Sequence, residues 1–192
     1  MRNAQTLKKS NTGFTLIELM ITLAIAVILI TLAVPSFSLM IHNSKVTSAT
    51  NEFVSALNLA RSEALKRSNN VTVCKSNSGF TACSTTATDN YTTNGWLVFP
   101  DCGVLGTVDT TADCDGDGVN DNDFNNIIKI GESNENIDLT STVGFITYDL
   151  SGRIAGATPT FNVKSTNAAT NAAIKKNKVS ISRIGRVKSE KI

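Results

Sequence analysis

The feature that most constrains this chain is an apolar run of 21 residues, 14–34, in which Glu18 is the one charged residue. At about 1.5 Å per helical residue such a run reaches roughly 30 Å, the thickness of the hydrocarbon core of a bilayer. The run therefore predicts a membrane-spanning helix. The segment before it, residues 1–13, contains three basic residues and no acidic residue. Because positively charged flanks tend to stay in the cytoplasm, the sequence after the run is expected to lie on the opposite side of the membrane.

Glu18 needs an explanation, because a carboxylate within an apolar span costs free energy unless an opposite charge or the membrane surface accommodates it. Residues 13–18, GFTLIE, resemble the prepilin signature of type IV pilins and type II secretion pseudopilins. The resemblance implies that a prepilin peptidase cleaves between Gly13 and Phe14 and methylates the new amino terminus at Phe14. It also implies that Glu18 meets the terminal amine of a neighbouring subunit during filament assembly. The alternative is a plain transmembrane anchor whose Glu18 lies at the headgroup boundary.

After Pro35 the apolar residues recur at steps of three and four, which is the period of an amphipathic helix. The members of this stripe are Val46, Ala49, Phe53, Leu57, Ala60 and Ala64. We therefore predict one long helix over residues 14–67, with a bend near Pro35 and its second half packed on a sheet. His42, the single histidine, is predicted to be a solvated residue of this helix.

Beyond residue 70 the apolar period falls to two, which is typical of strands. The strand candidates are 71–74, 96–99, 127–130, 144–148, 160–163 and 179–184, and a hairpin turn is predicted at 149–152. One amphipathic helix followed by several strands predicts the α+β class, with the helix covering an antiparallel sheet.

Several motifs in this second half are similar to those of the GspH/FimT/FimU branch of minor pilins and secretion pseudopilins. They are VTVC at 71–74, GWLVF at 95–99 followed by Asp101, FITY at 145–148 with SGR at 151–153, and VSIS at 179–182 with GRV at 185–187. The resemblance implies a non-enzymatic subunit of a type IV pilus or a type II secretion pseudopilus, acting in pilus biogenesis or protein secretion. Its implied partners are other pilin or pseudopilin subunits, the prepilin peptidase and methylase, and an inner-membrane assembly platform.

The same resemblance implies a three-part organisation of the chain. Residues 1–13 would be a cleaved leader, residues 14–34 a transmembrane and filament-core helix, and residues 35–192 an extracytoplasmic pilin-like domain with a basic tail at 175–192. The subunit would begin as a single-pass protein of the bacterial inner membrane, with its globular domain in the periplasm, and would then enter a pilus or pseudopilus.

All four cysteines follow the apolar run, in a compartment where disulfides form and persist. Four cysteines allow three connectivities. The pairings Cys74 with Cys83 and Cys102 with Cys114 are favoured, because each closes a short loop between predicted strands.

An acidic loop at residues 113–123, DCDGDGVNDND, follows the ligand order of a Ca²⁺-binding loop. Its candidate ligands are the carboxylates of Asp113, Asp115, Asp117 and Asp121 and the carbonyl of Val119. The twelfth place holds Phe124 instead of the usual glutamate, so the sequence predicts at most a weak structural Ca²⁺ site. The alternative is a solvated acidic turn.

The charges are segregated along the chain. Residues 14–163 hold 7 basic and 15 acidic residues, whereas residues 164–192 hold 8 basic residues and Glu190 as the one acid. A basic cluster of this kind is expected of proteins that bind a phosphate backbone. The candidate DNA-binding residues are Arg183, Arg186, Lys188 and Lys191.

The end of the chain also resembles the Gly-Arg-any-Arg tail of FimT-type minor pilins, which bind DNA during natural transformation. That pattern falls on Gly185, Arg186 and Lys188, with lysine in place of the second arginine. The alternative is that the cations keep an exposed edge strand soluble or pair with the acidic loop of a neighbouring subunit. Since the sequence contains no nucleophile with a base, zinc motif or phosphate-binding loop, an enzyme is not predicted.

Overall fold

The computed structural model describes residues 13–86, 89–108, 113, 127–169 and 173–192 of the 192-residue chain. One α-helix and nine strands lie among these residues. The helix, α1, is Leu16–Arg67. The strands are β1 Val71–Lys75, β2 Trp96–Pro100, β3 Lys129–Gly131, β4 Ile137–Ser141, β5 Phe145–Tyr148, β6 Ile154–Ala155, β7 Thr160–Ser165, β8 Lys176–Ile181 and β9 Val187–Lys191. A single 3-10 turn, Thr166–Ala169, follows β7.

Helix α1 is 52 residues long and continues through position 35, which confirms the single long helix predicted from the sequence. It ends where the apolar period ends. Ser68 adopts a left-handed backbone with φ of 52°, and the backbone N–H of Asn69 donates to the Ala64 carbonyl at 3.3 Å. This geometry satisfies one of the carbonyls that a helix terminus leaves without an internal partner.

The chain divides into two compact units, Met1–Ser38 and Leu39–Ile192. In the first unit the large apolar side chains between Leu16 and Ile30 are 53–76% exposed. This part of α1 is long and apolar enough to cross a membrane. A row of exposed apolar side chains this long has to be covered by lipid or by other protein.

The second unit contains the hydrophobic core of the described chain. From α1 it receives the predicted apolar stripe, of which Val46, Phe53, Leu57, Ala60 and Ala64 are fully buried and Ala49 is half-buried. The aromatic ring of Phe53 lies at the centre. Its centroid is 4.9 Å from that of Phe161 on β7 and 6.0 Å from that of Trp96 on β2, so one helical residue contacts both sheets.

The strands form two antiparallel sheets. The first has the order β3-β2-β1-β5-β6 and the second the order β4-β7-β8-β9. Val71 of β1 lies opposite Pro100 of β2 and Tyr148 of β5, which fixes the register at the centre of the first sheet. In the second sheet Val179 of β8 pairs with Phe161 of β7 and Ser189 of β9. The predicted α+β class is confirmed.

The structure has two sheets where the sequence predicted one. Three of its strands, β4, β6 and β9, were not predicted from the sequence. Strand β4 alternates apolar and polar residues, but it is short and follows a polar loop. Strand β6 has only two residues, and β9 has the polar sequence VKSEK. Strand β8 ends at Ile181, so residues 182–184, predicted as strand, lie in the following turn.

His42 is not the solvated residue that the sequence predicts. It is half-buried, and its Nδ1 atom lies 3.3 Å from the Ser165 hydroxyl oxygen at the end of β7. The side chain is covered because β7 ends against this turn of α1, a tertiary contact that the helical period does not reveal.

Candidate functional site

The predicted processing and assembly residues lie at the beginning of α1. Gly13 and Phe14 are exposed and precede the helix. The Thr15 backbone N–H and hydroxyl donate to Oε2 of Glu18 at 2.8 and 2.9 Å, and the Glu18 backbone N–H donates to the Thr15 hydroxyl oxygen at 3.3 Å. This reciprocal arrangement is a capping box, and its sequence signal is a threonine three residues before a glutamate. Thr15 is therefore a site residue that the motif comparison did not single out.

The disulfide framework is described in part. Cys74 of β1 is bonded to Cys83, as the sequence predicts. Cys102 is also disulfide-bonded, but Cys114, its predicted partner, lies outside the described residues. Of the acidic loop the structure describes Asp113 alone, which is exposed, while Asp115, Asp117, Val119 and Asp121 lie outside the described residues. The Ca²⁺ site stays a prediction.

The four predicted DNA-binding residues do not form one cluster. Arg183 and Arg186 lie together in the turn between β8 and β9. Lys188 lies on β9 with its Nζ 2.9 Å from Oε2 of Glu190, a hydrogen bond that lowers the pKa of that carboxyl group. Lys191 lies five residues beyond Arg186, roughly 17 Å along an extended strand. The structure thus places Arg186 and Lys188 at one open cavity and Arg183 at another.

The β8–β9 turn is defined by backbone hydrogen bonds. The Ser182 N–H donates to the Arg186 carbonyl at 3.0 Å, and the Gly185 N–H donates to the Ser182 carbonyl at 2.8 Å. Gly185 has φ of +78°, and a Cβ added there would lie 2.1 Å from the Gly152 carbonyl oxygen. Glycine is required on both counts, because a side chain would strain the backbone and collide with a second turn.

That second turn joins β5 to β6 and contains the predicted hairpin residues. The Asp149 N–H donates to the Arg153 carbonyl at 2.9 Å, and the Gly152 N–H donates to the Asp149 carbonyl at 2.8 Å. Oδ1 of Asp149 accepts hydrogen bonds from the Ser151 hydroxyl and N–H and from the Arg153 N–H, at 2.6 to 2.9 Å. These bonds, the Ser151 hydroxyl first, hold the pKa of Asp149 below its usual range.

Arg61 of α1 joins the two turns. Its Nε donates to the Gly152 carbonyl at 3.0 Å and its Nη2 donates to the Ile184 carbonyl at 2.9 Å. The Ile154 N–H donates directly to the Arg183 carbonyl at 3.1 Å, which connects the first sheet to the β8–β9 turn. Sequence reasoning missed Arg61, since it is one polar residue among many on the polar side of an amphipathic helix.

The turns display three exposed guanidinium groups, which we call the arginine surface: Arg153, Arg183 and Arg186. Arg153 and Arg183 line one open cavity of about 550 Å³, together with Asp149. Arg186 and Lys188 line a second of about 440 Å³. Exposed guanidinium groups around open cavities are suited to binding anions, phosphates above all.

Comparison with known proteins gives two family matches. A family model described as the type II transport protein GspH matches residues 49–185. A model of the prokaryotic N-terminal methylation motif matches residues 8–34. No curated protein sequence matches the chain.

Solved structures with a similar fold include the type IV minor pilin FimU of Pseudomonas aeruginosa. One crystal form has a TM-score of 0.50 at 14% identity, over 77% of this chain and 89% of that chain. A second has a TM-score of 0.49 at 14% identity, over 75% and 91%. The minor pseudopilin EpsH from the type 2 secretion system of Vibrio cholerae has a TM-score of 0.45 at 11% identity, over 76% and 95%. The likeness to FimU at 0.50 indicates a pilin-like fold.

Proposed function

Because this chain belongs to the GspH family of minor pilins and pseudopilins, we propose that it is a single-pass inner-membrane subunit that enters a type IV pilus or a type II secretion pseudopilus. The observation that carries the proposal is that the apolar part of α1 is exposed, while the second unit has its own core. Lipid covers such a helix before assembly, and neighbouring subunits cover it in a filament. The subunit acts without catalysis, through its contacts with other subunits.

Processing is part of this proposal. The methylation motif spans the predicted cleavage site between Gly13 and Phe14, and Glu18 follows five residues after Gly13. In the isolated chain Oε2 of Glu18 accepts hydrogen bonds from Thr15. In a filament the same carboxylate receives the amino terminus of a neighbouring subunit, because an opposite charge offsets the cost of keeping it in an apolar surrounding. Prepilin peptidase and the inner-membrane platform are the partners in these steps.

The assembly role is tested with Glu18→Gln. Glutamine preserves a capping box but removes the charge, so the variant should insert into the membrane as the wild type does and fall to background in the sheared filament fraction. Thr15→Ala is the matched control, since it breaks the capping box and keeps the carboxylate, and it should still be incorporated. Quantitative immunoblots of membrane and filament fractions measure both. Normal incorporation of Glu18→Gln would refute the charge pairing.

DNA binding is a second candidate function of the same subunit, and the exposure of Arg183 and Arg186 in one turn favours it. The double variant Arg183→Gln/Arg186→Gln should abolish DNA retention in a gel shift at low salt, because the two positive charges that lie together are removed. Lys188→Gln should have the smaller effect, since Glu190 already partners that lysine. Equal retention by the wild type and the double variant would exclude this candidate.

A further inference from the structure

We infer that Arg153, which lies outside the basic tail, completes a phosphate-binding surface with Arg183 and Arg186, and this inference rests on the DNA-binding candidate above. The partner of this surface is a phosphodiester backbone, recognised by its regularly spaced charges and without regard to base sequence. The arginine surface, and not the tail as a linear segment, is the binding unit.

The first support is that the two turns are in direct backbone contact. The Ile154 N–H donates to the Arg183 carbonyl at 3.1 Å, and Gly185 approaches the Gly152 carbonyl so closely that a Cβ has no room. Arg153 and Arg183 are each adjacent to one of these contacts in sequence. They line the same open cavity of about 550 Å³ although thirty residues separate them along the chain.

The second support is rigidity. Arg61 donates hydrogen bonds to one carbonyl in each turn, at 3.0 and 2.9 Å, so the relative position of the turns is held from the helix. Each turn is also closed by its own backbone hydrogen bonds. A surface assembled before the ligand arrives loses less conformational entropy on binding than a flexible tail does.

The third support is charge. Among the described residues no carboxylate lies within 4.0 Å of the guanidinium groups of Arg153, Arg183 or Arg186. Asp149, the acidic residue that lines the cavity of Arg153 and Arg183, uses Oδ1 for three hydrogen bonds within its own turn. Together with the hydrogen bond from the Ser151 hydroxyl, the positive charge of Arg153 helps to lower the pKa of the Asp149 carboxyl group, but Arg153 and Asp149 form no ion pair. Each of the three guanidinium groups therefore keeps its donors for an external anion and can hold a phosphate through two parallel N–H donors.

The fourth support is the absence of a base-stacking group at this surface. Of the described residues that line its two cavities, none is aromatic. Stacking on aromatic rings is the usual way in which proteins hold the bases of single strands. Without it, contacts to the backbone supply the affinity, and that affinity falls steeply with salt.

The test measures binding of the full-length chain, in a neutral detergent, to a fluorescein-labelled 30-mer oligonucleotide across a salt series. Fluorescence anisotropy gives the affinity and the slope of log K against log salt. Three phosphate contacts predict a slope between about −2 and −3 for the wild type.

The Arg153 variants give the decisive comparison. Arg153→Gln should weaken binding about tenfold at low salt and reduce the steepness of the slope by about 0.7 to 0.9. Arg153→Lys should keep the slope and lose a few-fold in affinity, because the charge remains and the bidentate fork is lost.

Lys45→Gln is the matched control for loss of one positive charge. Lys45 is exposed on α1 and lies sixteen residues before Arg61, about 24 Å along the helix, which is more than twice the screening length at 0.1 M salt. The Lys45→Gln variant should have the wild-type affinity and the wild-type slope of log K against log salt. The Arg153 side chain makes no hydrogen bond to the described protein, so the unfolding temperature of Arg153→Gln should equal that of the wild type.

The outcomes separate the two claims. If the wild type binds and Arg183→Gln/Arg186→Gln loses binding, but Arg153→Gln behaves like Lys45→Gln, the third contact is refuted and the DNA-binding function stands. If the wild type does not bind, both the third contact and the DNA-binding function are refuted.

Competition with polyglutamate tests the chemistry of the ligand. If polyglutamate competes as effectively as unlabelled oligonucleotide, the surface binds acidic proteins and the choice of phosphate is overturned. Leu150→Ser, which removes an exposed apolar side chain of the same turns and keeps every arginine, should bind as the wild type does.

Discussion

At the scale of single residues, Asp149 organises the β5–β6 turn. Its carboxylate accepts three hydrogen bonds, two from Ser151 and one from the backbone N–H of Arg153. The turn was predicted from the sequence because aspartate, serine and glycine favour such backbone conformations. The structure shows in addition that these hydrogen bonds favour the charged form of Asp149, because they lower the pKa of its carboxyl group.

This lowered pKa predicts a pH dependence. A carboxyl group with a folded-state pKa below its unfolded value stabilises the protein above the unfolded value and loses that contribution as the pH falls through the folded one. Asp149→Ala should therefore cost about 1 kcal/mol at neutral pH, allowing for solvent screening, and the difference from wild type should shrink below about pH 4.

Asp149→Asn serves as the control, because an amide oxygen can accept the same hydrogen bonds without titrating. Neither variant titrates at this position, so both should differ from the wild type by an amount that shrinks at low pH, while the stability difference between Asp149→Asn and Asp149→Ala should not change with pH. Urea unfolding at several pH values measures the three proteins. A constant difference between Asp149→Ala and wild type down to pH 2.5, about one and a half units below the ordinary aspartate pKa, would contradict the assignment.

At the scale of elements, Arg61 connects α1 to one turn from each sheet. The helix and sheets are already joined by apolar packing around Phe53, but the turns lie at the edge of that core. The guanidinium group of Arg61 donates one hydrogen bond to the Gly152 carbonyl and one to the Ile184 carbonyl. The same charge opposes the effect of burial, which raises the pKa of the nearby Tyr148.

We expect Arg61→Ala to lower the free energy of unfolding by about 2 to 3 kcal/mol, because two charge-assisted hydrogen bonds are lost at once. Arg67→Ala is the matched helical control. Arg67 forms an exposed ion pair with Glu63 one turn earlier, at 2.7 Å, and such pairs contribute about 0.5 kcal/mol. Urea denaturation followed by circular dichroism compares the two, and equal losses would show that Arg61 does not clamp the turns.

The elements that sequence reasoning found and missed follow a physical pattern. Helix α1 was predicted to its last turn because a period of 3.6 residues over many turns is a strong signal, and Ser68 and Asn69 end it. Strands with buried apolar residues, such as β1 and β2, were also predicted. Strand β9 was missed, because an edge strand that shows polar side chains on most positions carries no apolar alternation.

At the scale of the whole molecule, the chain is a two-part subunit. One unit offers an apolar helix that needs an external cover, and the other holds a complete core under two sheets. This division is what membership in the GspH family leads one to expect, because a pilin-like subunit has to be stable in a membrane and again in a filament. The arginine surface belongs entirely to the second unit.

The sequence by itself determined the features that depend on neighbours along the chain. The length and polarity of α1, the short Cys74–Cys83 loop and the resemblance to prepilins are all local. Local patterns are decisive there, because hydrogen bonding within a helix and closure of a short loop each involve residues close in sequence.

Only the tertiary structure decided which cations line the same cavity. The sequence grouped Arg183, Arg186, Lys188 and Lys191 because they lie within nine residues of one another, yet an extended strand separates its residues by about 3.3 Å each, which places Lys191 far from the turn. Arg153 lines one cavity with Arg183 because a backbone hydrogen bond from the Ile154 N–H to the Arg183 carbonyl joins two turns of different sheets, and Arg61 donates a hydrogen bond to each turn. A binding surface depends on distances in space, and those are fixed by strand register and packing, which no linear pattern of charge contains.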